Sequence, residues 1–133
     1  MNPAKIEIPH IINKLGNLGF IQESGLPFPI KRIYFISEVP QGEKRGQHGH
    51  KKLQQVIIAL KGSFEIRVVK KNLDVHYLMN DFKFGLYIPS ESWRELSNFT
   101  EDAVCLVLAS LPYDEDDYVY DFNIFKSLYI ENS

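Results

Sequence analysis

A chain of 133 residues is long enough to bury a hydrophobic core but short for several domains, so we expect one domain over residues 1–133. The net charge of −2 gives no support to nucleic acid or an acidic membrane surface as a partner. No apolar run has the length of a membrane span, and the N-terminus lacks the apolar core of a signal peptide. The single cysteine, Cys105, cannot form an internal disulfide, so we interpret it as a buried apolar side chain in a cytoplasmic protein.

Short β-strands separated by turns dominate the predicted secondary structure. Isoleucines over residues 6–12 alternate loosely and predict an N-terminal strand, which a glycine-containing turn follows. Further strands are predicted at residues 30–36, 53–60, 64–68, 75–79, 86–88, 93–96 and 103–109. This spacing is typical of an all-β sandwich or barrel.

The C-terminal tail departs from the strand pattern. Asp121 is a candidate N-cap for a short helix that carries four apolar residues on one face. These residues are Phe122, Phe125, Leu128 and Tyr129. Upstream, the four acidic residues 114–117 lie between two tyrosines. We interpret this run as a solvated acidic turn in preference to a cation site.

The segment from Gly42 to Gly62 contains the candidate chemistry. His48 and His50 are two residues apart, so both side chains point to the same face if the segment is extended. Imidazoles titrate near neutral pH and are suited to acid–base catalysis. If Arg45 and Arg94 face the same cavity, they could hold a phosphate or a developing enolate charge. Stacking surface and a phenolic proton could come from Tyr34, Tyr87 and Trp93.

Five residues of this segment have the spacing of the first signature of the cupin superfamily, which they resemble. The signature has a glycine, two histidines, a glutamate and a glycine, and the residues here are Gly42, His48, His50, Gln55 and Gly62. The stretch from Pro89 to Asn98 fits the second signature in spacing, although only its proline and asparagine match in type. Together the two signatures predict a cupin double-stranded β-helix, or jelly roll, with a short C-terminal helix.

The departures from both signatures fall on metal ligands. In the metal-binding cupins that this segment resembles, a glutamate of the first motif and a histidine of the second are metal ligands. This chain has Gln55 and Arg94 at those two positions. A guanidinium has no lone pair to donate, and an amide offers only a neutral carbonyl. The two remaining histidines make a poor site for a catalytic metal, which normally has three protein ligands. We therefore predict that the pocket uses neither a metal nor another cofactor.

Longer stretches resemble the WxcM-like family of thymidine-diphosphate-sugar (TDP-sugar) 3,4-ketoisomerases across residues 8–126. The matching stretches are 30–34, 45–52, 62–63, 93–99, 104–110 and 113–118, together with Gln55. The resemblance implies a homodimer that exchanges N-terminal strands. It also implies metal-free isomerisation of a 4-keto-6-deoxy nucleotide sugar to the 3-keto sugar.

The same resemblance implies that His48 and His50 are the acid–base pair, and that Tyr34 and Arg45 line the cavity. Arg45 is a candidate partner for the diphosphate, and either histidine could be the base. We count Tyr34 with the catalytic candidates. Further candidate substrate contacts are Arg94, Gln55, Lys52 and Trp93.

Three positions depart from many family members. Leu15 stands in place of an arginine and Arg94 in place of a histidine, and both changes could alter substrate contacts. Gly49 replaces an alanine, which we interpret mainly as added backbone freedom. Two alternatives to an isomerase stay open. One is a non-catalytic cupin that binds a nucleotide sugar or carbohydrate, and the other is a nucleotide-sugar epimerase with a tyrosine proton donor opposite the histidine base.

Overall fold

Two five-stranded antiparallel sheets face each other in the computed structural model, which describes residues 1–131. The strands are β1 (Ala4–Glu7), β2 (His10–Asn13), β3 (Gly16–Gly19), β4 (Arg32–Ser37), β5 (Arg45–His50), β6 (Gln55–Lys61), β7 (Phe64–Lys70), β8 (Leu73–Met79), β9 (Phe84–Ile88), β10 (Ser92–Ser97), β11 (Val104–Ala109) and β12 (Tyr118–Val119). Two 3-10 turns, Glu23–Gly25 and Glu115–Asp117, and the helix α1 (Phe122–Tyr129) complete the elements.

The chain passes back and forth between the two sheets. The first sheet has the order β1-β9-β6-β11-β4 and the second the order β12-β5-β10-β7-β8. Strands β4 to β7 therefore alternate between the sheets, and so do β8 to β12. This connectivity is that of a jelly roll, so the predicted fold class is confirmed. None of the helices within residues 1–131 is long and apolar enough to cross a membrane.

The N-terminal strand differs from its prediction. The predicted stretch of residues 6–12 is divided, because β1 ends at Glu7 and β2 begins at His10, after Pro9. Proline has no N–H for a strand ladder, which explains the break. Strand β1 pairs with β9, whereas β2 and β3 form a separate hairpin.

The main core lies between the two sheets and is built from alternating apolar residues. In β7, the predicted face of Phe64, Ile66 and Val68 is fully buried. Cys105 of β11 lies in the same core, and burial raises the pKa of its thiol to about 12, which agrees with its interpretation as an apolar side chain. A second apolar cluster covers the outer face of the first sheet, and a third lies between the second sheet and α1.

Helix α1 begins where the sequence predicts. The Asp121 carboxylate accepts hydrogen bonds from the backbone N–H groups of Asn123 and Ile124, which confirms the predicted N-cap. Phe125 is fully buried against the second sheet, and Phe122 and Tyr129 pack beside it. Leu128, predicted on the same face, is exposed.

Gly49 is required by packing, which corrects its interpretation as a source of backbone freedom. A Cβ atom at Gly49 would lie 2.5 Å from Cδ2 and 2.6 Å from Cε2 of Phe125. The φ angle of Gly49 is not positive, so its backbone has no special need for glycine. The absent side chain thus lets α1 pack closely on β5.

We predict that Gly49→Ala lowers the free energy of unfolding by about 1 to 3 kcal/mol, because the added methyl overpacks the contact with Phe125. Chemical denaturation measures the loss, and Phe125→Leu in the same chain should recover part of it. Gly25→Ala is the control, because nothing lies within 4 Å of a Cβ built there. A Gly49→Ala protein as stable as the wild type would contradict this explanation.

Candidate active site

Strand β5 places the two histidines side by side on the inner face of the second sheet. The rings of His48 and His50 are nearly perpendicular, with centroids 4.7 Å apart. In the pairing of β5 with β10, His48 lies opposite Arg94 and His50 opposite Ser92. The period of two along an extended strand therefore produces the shared face that the sequence predicts.

Arg94 occupies the centre of this face and is only 1% exposed. One hydrogen bond of its guanidinium is present: Nη2 donates to the carbonyl oxygen of Ser92 over 3.5 Å. No carboxylate of residues 1–131 forms an ion pair with it. Burial lowers the pKa of Arg94 to about 10, and the neighbouring Tyr34, Tyr118 and Asp117 offset part of that effect. The group remains a cation at neutral pH.

Tyr34 and Gln55 extend the site from the first sheet. Gln55 is 2% exposed, and its Nε2 donates to the Tyr34 hydroxyl over 2.9 Å. Since the phenolic oxygen accepts this bond, the hydroxyl proton is free to donate elsewhere. Burial raises the pKa of Tyr34, so the phenol is protonated at neutral pH.

Both histidines are neutral in the free protein. Burial, and then the charge of Arg94, lowers the pKa of His48 to about 3. The pKa of His50 is also lowered by burial first, with Arg94, His48 and Arg32 adding to the effect. A neutral imidazole has one nitrogen with a lone pair and one N–H. Each ring can thus accept a proton as it stands.

Within residues 1–131, the buried side-chain polar atoms that lack a hydrogen-bond partner all lie in this one site. Four buried side-chain atoms lack a hydrogen-bond partner: His50 Nε2, Gln55 Oε1, Arg94 Nε and Arg94 Nη1. An unsatisfied buried polar group typically costs about 1 to 3 kcal/mol, so such groups need a specific explanation. A polar or anionic ligand that enters the site would supply the missing partners.

Asp117 is a site residue that the sequence reading missed. The sequence predicts a solvated acidic turn, and residues 114–116 are indeed exposed, but Asp117 is only 7% exposed. Its Oδ2 lies 3.1 Å from Nδ1 of His50. The contact exists because β12 pairs with β5, so it joins residues 67 positions apart that no local pattern connects.

Tyrosines of the tail form one wall of the site, which the sequence reading also missed. The Tyr118 ring lies 4.4 Å from the His50 ring and 4.8 Å from the His48 ring, measured between centroids. Tyr120 stacks on Tyr118 with a centroid distance of 5.3 Å. The imidazoles therefore have an aromatic neighbour that shields them from solvent.

Arg45 lies at the rim of the site. It is exposed and pairs with Leu96, whose side chain is in the inner core. A register shift between β5 and β10 inserts one extra residue beside Gly46, whose φ is +63°. This bulge brings Arg45 to the same side of the sheet as His48, although the two are three residues apart.

The sequence predicts that Lys52, Trp93 and Tyr87 contribute side chains to the site, but the structure places all three side chains elsewhere. Lys52 is exposed, and only its backbone N–H reaches the site, where it donates to Asp117. Trp93 is 3% exposed but packs under Phe122, because neighbouring strand residues point to opposite faces and Arg94 points inward. Tyr87 packs in the cluster on the outer face of the first sheet. The Trp93 and Tyr87 rings therefore lie outside the cluster formed by the histidines and Arg94.

The ligand chemistry of the site gives little support to a resident metal ion. No group of three or more His, Cys, Asp or Glu side chains suited to a metal occurs within residues 1–131. Arg94 at the centre of the site cannot be a ligand and would repel a cation. The prediction of a metal-free pocket rests on this donor set.

Comparisons with known proteins place the chain in a family. A family model described as "FdtA: WxcM-like, C-terminal" matches residues 1–129. The chain is 38% identical over 127 residues to TDP-4-oxo-6-deoxy-alpha-D-glucose-3,4-oxoisomerase of Aneurinibacillus thermoaerophilus, covering 95% of this chain and 91% of that protein.

Solved structures show the same relationship. The 3,4-ketoisomerase QdtA of Thermoanaerobacterium thermosaccharolyticum, solved with TDP, has a TM-score of 0.92 and 42% identity, with 96% of this chain and 93% of that chain covered. WlaRA of Campylobacter jejuni, a TDP-fucose-3,4-ketoisomerase, has a TM-score of 0.90 and 33% identity, with 96% of each chain covered. The chain therefore belongs to the FdtA, or WxcM-like, family.

Proposed function

We propose that this protein is an isomerase that converts a TDP-linked 4-keto-6-deoxy sugar to the 3-keto sugar. The observation that carries the proposal is the set of four unpartnered buried atoms on His50, Gln55 and Arg94. The family relatives support the reaction class, since the relatives compared above are 3,4-ketoisomerases or oxoisomerases of TDP-sugars. A histidine-to-asparagine variant of QdtA was solved with TDP-4-keto-6-deoxyglucose, which supports the substrate class.

The proposed reaction moves a carbonyl group by proton transfer and needs no external oxidant. A base removes the proton from C3, and the electron pair of that C–H bond forms the C3–C4 double bond. The C4 carbonyl oxygen takes up the charge as an enediolate. The C4 oxygen then takes up a proton, the C3 hydroxyl loses one, and the base returns a proton to the C4 carbon, so that C3 becomes the ketone and C4 bears a hydroxyl group. The neutral imidazoles of His48 and His50 are suited to these transfers, because each can accept a proton and return it.

Arg94 is proposed to stabilise the enediolate. Its guanidinium is buried, cationic and has two unpartnered nitrogens, so it offers hydrogen bonds to an oxygen that becomes anionic during the reaction. Such preorganised donors act strongly where water is excluded. The free hydroxyl proton of Tyr34 can contribute in the same way, since Gln55 donates to the phenolic oxygen.

The diphosphate is proposed to bind at the rim, outside the buried cluster. Arg45 is exposed there on the same side of the sheet as His48. Charge-assisted hydrogen bonds from a guanidinium to phosphate are strong and directional. This arrangement would leave the uncharged sugar ring to face Arg94 and the histidines.

We predict that at least one of His48→Asn and His50→Asn lowers turnover about a hundredfold or more, because asparagine cannot transfer protons near neutral pH. The assay follows the product of TDP-4-keto-6-deoxyglucose by NMR, and both variants should still bind TDP. His76→Asn is the control, because His76 is an exposed residue of β8 that lies opposite Arg67.

Full turnover in both folded histidine variants would contradict the acid–base assignment. Binding of the TDP-sugar without any turnover by the wild type would favour the non-catalytic cupin. A product that keeps its 4-keto group but has the opposite configuration at one ring carbon would favour the epimerase.

The homodimer with exchanged N-terminal strands is also part of the proposal. The β2–β3 hairpin exposes apolar side chains on its two strands, and Leu15 in its turn is 91% exposed. Isolated two-stranded hairpins are marginally stable in water. A further apolar patch is Phe35 and Ile33 on the edge strand β4, where Phe35 is 73% exposed. A second copy of the chain would cover these surfaces, and its β1 could form the hydrogen bonds that β1 forms with β9.

We predict that sedimentation analysis finds a dimer at micromolar concentration. The double variant Ile11→Glu and Leu18→Glu places charges at directly paired positions of the hairpin and should produce monomers. Leu78→Glu is the control, because Leu78 is an exposed apolar residue of β8. A monomeric wild-type protein would contradict the proposed dimer. A hairpin variant that remains dimeric would contradict the proposed role of the hairpin in the dimer interface.

A further inference from the structure

The main chain of the tail fixes Asp117 beside the histidines. Tyr118 pairs with His50 across β12 and β5, and the backbone N–H of Lys51 donates to the Asp117 carbonyl oxygen over 3.1 Å. The Asp117 side chain is therefore anchored next to the ring of His50 by strand pairing. No corresponding side-chain hydrogen bond to His48 occurs within residues 1–131.

The hydrogen bonds of Asp117 determine which nitrogen of His50 has the proton. The backbone N–H groups of Lys52 and Leu53 donate to Oδ1 and Oδ2 over 2.8 Å and 3.1 Å, which favours an ionised, acceptor-only carboxylate. Nδ1 of His50 must then be the donor in its 3.1 Å contact with Oδ2. A neutral imidazole has a single N–H, so Nε2 bears the lone pair, and Nε2 is one of the unpartnered atoms of the site.

We infer that Asp117 is a positioning residue that fixes His50 in the tautomer with a free Nε2 lone pair, so that the first proton transfer at His50 is acceptance of a proton by Nε2. This inference rests on the proposed isomerase function. When Nε2 accepts a proton from the substrate, the carboxylate lies next to the imidazolium and stabilises it until the proton is returned to the intermediate. No proton is gained or lost over the cycle. His48 has no such partner and can adopt either tautomer.

The test is Asp117→Asn, which is nearly isosteric. The asparagine carbonyl oxygen can still accept from a backbone N–H, but its NH₂ group would donate to Nδ1 and move the imidazole proton to Nε2. Imidazole ¹⁵N NMR of wild-type His50 should show protonated Nδ1 and unprotonated Nε2, and the variant should show the reverse. Turnover should fall about a hundredfold or more, while TDP affinity is unchanged. Asp117→Glu keeps a carboxylate and should recover part of the turnover and the wild-type tautomer.

Asp116→Asn is the matched control, because Asp116 belongs to the same acidic turn but is exposed. It should leave both the tautomer and the turnover unchanged. A wild-type His50 with a protonated Nε2 would overturn the inference without any variant. Normal turnover in Asp117→Asn with a reversed tautomer would overturn it as well. An inactive wild-type protein would refute the proposed isomerase instead, and the tautomer measurement would still test the contact between Asp117 and His50.

Discussion

The buried charge of Arg94 is the interaction on which the other features of the site depend. Its guanidinium is removed from water without an ion-pair partner among residues 1–131, and two of its nitrogens are unpartnered. This charge helps to keep both histidines neutral, because it adds to the effect of burial on their pKa values. The same charge would stabilise an enediolate. In the proposed mechanism, this one buried group would therefore keep the two candidate bases neutral and stabilise the anionic intermediate.

The jelly roll supplies the rigidity that this arrangement needs. Arg94 and the histidines come from paired strands of one sheet, while Tyr34 and Gln55 come from the other. Asp117 ends the 3-10 turn Glu115–Asp117, directly before the short strand β12, and α1 covers the outer face of the same sheet. Because Phe125 of α1 lies directly on Gly49, between the two histidines, helix packing and the positions of the imidazoles are linked. The tail thus contributes to the site on the inner face of the sheet and also packs against the outer face.

Much of the fold and the histidine pair could be predicted, because both depend on the period of two along strands. Glu91 stands where the second cupin signature has a glycine. Its φ of +58° is the left-handed conformation that glycine favours, so the backbone keeps that shape. The exclusion of Trp93 follows from the same period, since its neighbour Arg94 points inward. Asp117 could not be predicted, because its role depends on strand pairing with a residue 67 positions away. The requirement for glycine at position 49 could not be predicted either, because it depends on contact with Phe125, which is distant in the sequence.

The most direct test of this account is the free energy of unfolding of Arg94→Met in the absence of substrate. Methionine fills similar space without a charge or unpartnered N–H groups, so we predict a gain of about 1 to 3 kcal/mol. Arg67→Met on the outer face of the same sheet is the control, where loss of surface ion pairs with Asp74 and Glu95 should change stability by about 1 kcal/mol or less. A loss of more than about 1 kcal/mol in Arg94→Met alone would contradict the account, because it would mean that Arg94 is already compensated in the free protein.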